Sequence, residues 1–312
     1  MKPEILVVGA MPPVTMASLD EAFTVHKLWE APDKAALLKE IAPRVRGMAT
    51  TGGAGADGAL MDALPHTEII AHFGVGYDAV DVAAAKARNI AVTNTPDVLT
   101  DEVADTAIAI LLDAVREISK GDRFVRAGKW LQGNMPFSRT VAGKTLGIVG
   151  LGRIGTAIGK RAEIFNMKVM WHGPRPKPDA PWPYVADLIQ LARLSDVLMI
   201  ICPLTKETFH LIDADVLAAL GPEGTIVNVA RGAVIDEPAL VEALKNGTIR
   251  SAALDVFEQE PKVPEELFAM ENVVLQPHVG SATVETRTAM GQMVVDNLTA
   301  HFGGKPLLSR VA

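Results

Sequence analysis

Short apolar runs alternate with helical patterns over residues 1–94: Ile5 to Val8, Ala35 to Ile41, Gly47 to Thr50, Ile69 to Phe73, Val80 to Arg88 and Ile90 to Thr93. A strand buried on both faces has no polar side to show, so this rhythm predicts a parallel sheet with crossover helices. From Thr100 to Arg126 the breaks disappear. A nearly uninterrupted helical pattern follows Thr100-Asp101-Glu102, whose acids suit the positive end of a helix dipole, and it predicts one long helix. Alternation then resumes at Leu146 to Val149, Lys168 to Trp171, Val197 to Ile201, Thr225 to Val229, Ala252 to Val256 and Val273 to Leu275. Strands so separated by helical stretches predict a second doubly wound sheet. The last helical segment, Val284 to Phe302, is followed by no further strand and is long enough to cross back to the N-terminal half.

The stretch Thr145 to Gly155 turns this rhythm into chemistry. An apolar run ends in Gly150-Leu151-Gly152-Arg153-Ile154-Gly155, and a helical pattern, Ile154 to Phe165, follows. In a strand–G-x-G-x-x-G–helix unit the first glycine makes the turn and the second lets backbone approach a pyrophosphate. The third lets helix and strand pack, and the phosphates sit on the helix N-terminus. The next apolar segment, Met167 to Trp171, completes a βαβ unit. The expected class is therefore α/β with two doubly wound parallel-sheet domains. A Rossmann cofactor domain, 96–283, is inserted in a flavodoxin-like substrate domain built from 1–95 and 284–312.

Composition narrows the field. A chain of 312 residues suits two domains, and 49% hydrophobic with 21% charged residues supports sizeable cores. A net charge of -7 argues against a nucleic-acid surface, which needs a basic face. Cys202 stands alone, so no intrachain disulfide framework is expected, and the scattered histidines show no paired metal-ligand spacing. The N-terminus is too short in apolar residues for a signal peptide, and no run reaches transmembrane length. A cytoplasmic protein without membrane or metal is the expectation.

The loop after the second strand of the cofactor domain bears on the choice of dinucleotide. NAD-binding versions usually place an Asp or Glu there, about 20 residues beyond the glycine motif, to accept the ribose hydroxyls. Here Trp171-His172-Gly173 ends the strand, and Pro174-Arg175-Pro176-Lys177 follows. Gly173 stands where the acid would be, while Arg175 and Lys177 can pair with a 2′-phosphate. NADP(H) is the expected cofactor, with NAD(H) possible; the competing reading is a solvated basic loop.

Three segments each present a polar residue beside a predicted strand end: Arg231 in Val229-Ala230-Arg231-Gly232, Glu260 in Glu258-Gln259-Glu260-Pro261, and His278 in Gln276-Pro277-His278-Val279-Gly280. Ligands of doubly wound sheets bind at the carboxyl ends of strands. An arginine there can hold an α-keto carboxylate bidentately, a histidine can protonate the alkoxide as hydride arrives, and a glutamate can keep the imidazolium charged. The three roles together describe reduction of a 2-oxo acid. Singly, each residue is as readily a structural or solvated group.

These segments resemble a known family, the D-isomer-specific 2-hydroxyacid dehydrogenases. The resemblance runs through Gly74-Val75-Gly76-Tyr77-Asp78, Asn94-Thr95-Pro96, the glycine motif, Asn228-Val229-Ala230-Arg231-Gly232, Ala253-Leu254-Asp255-Val256-Phe257, Glu260-Pro261 and Gln276-Pro277-His278-Val279-Gly280-Ser281-Ala282-Thr283. It implies that Arg231 binds and polarises the substrate, Glu260 supports the histidine and His278 is the acid/base. It also implies that Val75 and Gly76 hold the substrate carboxylate through their backbone, that Thr100 meets the cofactor, and that Asp255 receives the nicotinamide carboxamide. The backbone at Cys202, Pro203, Val229 and Ala230, together with His278 and Gly280, is expected to line the cofactor cleft. Cys202 itself ends an apolar strand with no base nearby in the sequence, so lining or packing is expected of it rather than nucleophilic chemistry.

Within the family, Thr95 to Asp105 and Gly128-Lys129-Trp130 look most like hydroxypyruvate and glyoxylate reductases. That resemblance implies a homodimer formed through the long helix and the segment after it, 100–142, with Trp130 either reaching toward the partner's pocket or simply buried at the interface. Domain closure about Asn94-Thr95-Pro96 and near Ala282-Thr283 is expected to exclude water. The family's longer members carry a C-terminal regulatory domain, and feedback through one is not expected here. The favoured reading is NADPH-dependent reduction of glyoxylate and hydroxypyruvate to D-2-hydroxy acids. The alternatives are reduction of bulkier arylpyruvates such as hydroxyphenylpyruvate, with His72, Phe73, Met48 and Trp130 setting pocket size, and a non-catalytic dinucleotide sensor like the family's corepressor relatives.

Overall fold

A computed structural model describes residues 2–312 and contains two compact units, one from the chain up to Leu99 with Thr283–Ala312, the other Thr100–Ala282. In the first, strands β1 (Glu4–Val7), β2 (Thr24–Lys27), β3 (Val45–Thr51), β4 (Ile69–Phe73) and β5 (Ala91–Thr93) run parallel in the order β2-β1-β3-β4-β5. This is the flavodoxin-like order. Helices α1 (Pro13–Ala22), α2 (Lys34–Ile41), α3 (Gly58–Ala63) and α4 (Val82–Ala87) make the crossovers. The interior strands are apolar because both faces are covered, and every residue of β4 is buried. β2 is different: Thr24-Val25-His26-Lys27 lies at the sheet edge, partly exposed, so no apolar run announces it.

The second unit begins with α5 (Thr100–Arg116) and α6 (Ile118–Arg126), then builds its sheet from β6 (Thr145–Val149), β7 (Lys168–His172), β8 (Val197–Ile200), β9 (Thr225–Asn228), β10 (Ser251–Leu254) and β11 (Val273–Leu275). All pairings are parallel, in the order β11-β10-β9-β8-β6-β7. Between them run α7 (Arg153–Ile164), α8 (Leu188–Leu194), α9 (Ala214–Leu220) and α10 (Glu237–Lys245). The chain leaves β6 outward to β7 and returns to β8 on the other side, so the direction of winding switches at β6. The last helix, α11 (Val284–Phe302), rejoins the first unit and packs on α1 and β4.

The structure corrects one sequence expectation, the single long helix from Thr100 to Arg126. Glu117 interrupts it in a left-handed conformation, φ 56° and ψ 41°. Charge pairs gather at the break. The Glu117 carboxylate reaches Lys120 at 3.2 Å and Arg250 at 3.4 Å, and Asp113 accepts the N–H of Ser119 at 2.7 Å, capping the new helix. The apolar periodicity continues across the break, which is why the sequence pattern does not reveal it.

The proline-rich stretch after β7 is held at both ends. The Trp171 N–H donates to Pro183 and the Val185 N–H to Trp171, making a short parallel bridge that continues the sheet one position beyond β7. Trp182 lies against Gly159 of α7, where a Cβ would fall 2.3 Å from the indole, and its Nε1 donates to Glu163. Side-chain caps start most helices: Asp33, Asp57, Asp81, Asp187, Asp213, Asp236 and Thr283 each accept a backbone N–H of the first turn. Helix α7, which starts after Gly152, has no such cap.

Candidate functional site

The second unit's polar residues singled out in the sequence gather at the carboxyl ends of its strands. After β6 comes the glycine loop. Gly150 has φ 101°, and a Cβ there would sit 2.7 Å from the Cys202 nitrogen, so only glycine fits. A Cβ at Gly155 would fall 2.3 Å from the Gly150 carbonyl, which lets strand and helix pack closely. Gly152 is the opposite case: its Cβ position has no atom within 4 Å. Leu151, Gly152, Arg153 and Ile154 thus run from an open turn into a helix whose first N–H groups have no side-chain cap.

After β7, the Gly173 carbonyl accepts the Tyr184 hydroxyl at 3.0 Å, and Lys177 Nζ donates to the Leu151 carbonyl. Lys177 therefore ties this loop to the glycine turn, and Arg175 lies exposed between these two anchors. After β8, Cys202 is buried and Pro203 exposed. Burial pushes the Cys202 thiol up to about 11, so it is no nucleophile at neutral pH.

After β9, Asn228 organises the arginine turn. Its Oδ1 accepts the Ala230 N–H and its Nδ2 donates to the Arg231 carbonyl, both at 3.0 Å. Val229 and Ala230 are buried, and the Arg231 guanidinium donates back to the Ala230 carbonyl at 2.8 Å. A Cβ at Gly232 would fall 1.9 Å from the Phe257 carbonyl carbon, so glycine alone lets the arginine turn abut the glutamate turn. Asn228 and Gly232 stand in a motif noted in the sequence, but their tasks become visible only with this contact.

After β10 and β11, the acid–base pair forms. Glu260 Oε1 accepts the Phe257 N–H at 3.1 Å, and its Oε2 meets His278 Nδ1 at 2.7 Å. Burial pushes the Glu260 carboxyl up, but the His278 hydrogen bond, the His278 charge, the Phe257 N–H and the Arg231 charge outweigh it and hold the group below its ordinary value. An ionised carboxylate only accepts, so Nδ1 carries the hydrogen of this bond, leaving Nε2 as the second position on the ring. His278 sits at φ 54°. The strain is held by Asp255, whose carbonyl takes the His278 N–H and whose carboxylate takes the N–H groups of Val279 and Gly280 at 2.7 and 2.8 Å. Burial pushes the Asp255 carboxyl up against those two bonds. Thr106 of α5 donates to the Gly280 carbonyl. Thr100 is the first residue of α5, whose opening acid Asp101, with Asp105, pairs with Arg161 of α7.

In the first unit, Val75 and Gly76 lie on the loop after β4. Asn94 Nδ2 donates to the Val75 carbonyl and the Thr95 N–H to the Gly74 carbonyl, both at 2.9 Å.

Residues 108–280 match the D-isomer specific 2-hydroxyacid dehydrogenase family over its NAD binding domain. A glyoxylate/hydroxypyruvate reductase A of Arabidopsis thaliana is 48% identical over 94% of each chain. A hydroxyphenylpyruvate reductase of Plectranthus scutellarioides is 47% identical over 94% of each. Among solved structures, the NADPH-dependent glyoxylate/hydroxypyruvate reductase of Sinorhizobium meliloti in complex with NADP and malonate is 47% identical. It superposes with a TM-score of 0.94 over 100% of this chain and 97% of that one. The chain belongs to the D-isomer specific 2-hydroxyacid dehydrogenase family, and its second unit is a dinucleotide-binding domain. The open face of Gly152 and the uncapped start of α7 fit the pyrophosphate of such a cofactor.

Proposed function

We propose that this protein is an NADPH-dependent reductase of small 2-oxo acids, glyoxylate and hydroxypyruvate foremost, yielding D-2-hydroxy acids. One observation carries the reading: a histidine held at Nδ1 by an ionised glutamate, with an arginine close enough to help ionise it. Among the functions open to this fold, that trio suits proton delivery to a carbonyl oxygen beside a carboxylate.

The bound nicotinamide supplies the hydride. Arg231 holds the substrate carboxylate through its forked N–H groups and draws electron density from the neighbouring carbonyl. His278 gives the Nε2 proton to the oxygen as negative charge develops, and Glu260 stabilises the ring while it is charged. Asp255, besides fixing the His278 turn, is assigned to the nicotinamide carboxamide, and Val75 and Gly76 are assigned as backbone donors to the substrate carboxylate. Thr100, Gly150, Leu151, Gly152, Arg153, Ile154, Gly155, Cys202, Pro203, Val229, Ala230 and Gly280 are assigned to the cofactor.

The preference for NADPH rests on Gly173 in place of an acid and on exposed Arg175 within a loop tied to the glycine turn. The Sinorhizobium meliloti relative is itself NADPH-dependent. A second reading, an arylpyruvate reductase, is favoured by the hydroxyphenylpyruvate reductase at 47% identity. The assembly is proposed to be a homodimer. Ile118, Val125, Trp130, Leu131 and Phe137 are exposed within one short segment, Leu131 at 94% and Phe137 at 100%, and a second copy would cover them.

His278→Ala tests the mechanism. Turnover is expected to fall at least about a hundredfold while NADPH binding, followed by fluorescence, stays unchanged. Wild-type turnover in that variant would remove His278 as the proton donor.

A further inference from the structure

A second histidine–glutamate pair lies on the same end of the second unit's sheet. His210, between β8 and α9, adopts φ 50°, uncommon for a residue with a side chain. Its N–H donates to the Ala233 carbonyl at 2.9 Å, and two residues on Ile212 bridges to Ile235, so the segment is strapped to the turn that follows Arg231. The imidazole stacks on Phe209 at 3.9 Å between centroids and presents Nε2 to Glu258 Oε2 at 3.2 Å. The Glu258 N–H donates to Glu237 Oε1 at 3.1 Å, at the start of α10. Burial pushes the Glu237 carboxyl up; the Glu258 N–H opposes this and the Glu258 charge adds to it.

Glu258 is two residues from Glu260, and the turn that carries both is held at Phe257 and at Glu258. Phe257 is pressed on Gly232 and bonded to Glu260, while Glu258 is held by Glu237 below and His210 beside. The His210 ring meets a carboxylate whose charge is also felt by Glu237. Without that partner, repulsion between Glu258 and Glu237 acts directly on the turn that aims Glu260.

We propose that His210 is a positioning residue: through Glu258 it fixes the Phe257–Glu260 turn, and so holds Glu260 on His278. The inference rests on the acid–base role given to His278 above, and its test keeps the two apart. The first readout needs no turnover: the proton NMR signal of the His278 Nδ1–H, sheltered by the Glu260 bond and assigned by its loss in Glu260→Gln. Wild type and His210→Gln, which restores a side-chain N–H donor, are expected to show the signal. His210→Leu is expected to lose it with an unchanged circular dichroism spectrum, and should His210→Leu fail to fold, His210→Phe, which keeps the stack on Phe209 but has no N–H to give Glu258, is read in the same way. The second readout is a double-mutant cycle. His210→Leu is expected to lower kcat about tenfold with KM for NADPH held within about twofold, yet to lower kcat by less than about twofold in the Glu260→Gln background. A retained His278 signal in His210→Leu, or equal losses of kcat in both backgrounds, would overturn the proposal. A wild type that reduces no 2-oxo acid would defeat the reductase reading, while the NMR signal would still decide the role of His210.

Discussion

Glu260 divides its two oxygens between structure and chemistry, one on the Phe257 N–H and one on His278 Nδ1. That division predicts the behaviour of Glu260→Gln. A neutral amide cannot stabilise a charged ring, so the alkaline limb of the kcat–pH profile for reduction is expected to move to lower pH, with kcat at neutral pH down about tenfold. An unmoved limb would remove Glu260 from the mechanism. Stability carries a second signature. The folded protein holds this carboxyl below its ordinary value, so between the folded and the ordinary value the unfolded chain binds more protons. The Glu260 contribution is therefore complete above that range and is lost as pH falls through it; Glu260→Gln is expected to lack this component in acid denaturation. Arg231, Glu260 and His278 were legible in the sequence because each follows a predicted strand end. The supports of Asn228 and Gly232, and the pairing of His210 with Glu258 across 48 positions, were not, since each depends on which turns abut.

At the scale of the element, three glycines in one loop do separate things. A Cβ at Gly155 would meet the Gly150 carbonyl at 2.3 Å, whereas one at Gly152 meets nothing within 4 Å. Gly155→Ala is therefore expected to destabilise the fold by about 1–3 kcal/mol through overpacking. Gly152→Ala is expected to melt with the wild type yet weaken NADPH binding about tenfold, because the added methyl occupies the approach to the pyrophosphate. Melting calorimetry and NADPH titration separate the two, and unchanged NADPH binding by Gly152→Ala would contradict the assignment of Gly152 to the cofactor. The interior strands were readable because parallel sheets bury both faces and leave continuous apolar runs. The edge strand β2, with one apolar residue in Thr24-Val25-His26-Lys27, was not. The break at Glu117 also escaped, because the apolar periodicity runs across it and one of its contacts is to Arg250 far along the chain.

For the whole molecule, the sequence conveyed two α/β units through the glycine motif and the doubled rhythm of strands, while the strand orders had to come from pairing in space. The exposed apolar side chains between Ile118 and Phe137 set the expected assembly. Leu131→Glu with Phe137→Glu is expected to convert a dimer to a monomer in sedimentation velocity; a monomeric wild type would contradict the dimer. The measurement that tests the central claim most directly is the initial rate of NADPH oxidation, and separately of NADH, with glyoxylate, hydroxypyruvate, pyruvate and phenylpyruvate. The account predicts fast oxidation of NADPH with the two small hydroxy-acid precursors, glyoxylate and hydroxypyruvate, and slower oxidation of NADH. A preference for phenylpyruvate would transfer the function to aryl acids, a preference for NADH would contradict the role of Arg175, and no turnover with any of them would contradict the reductase itself.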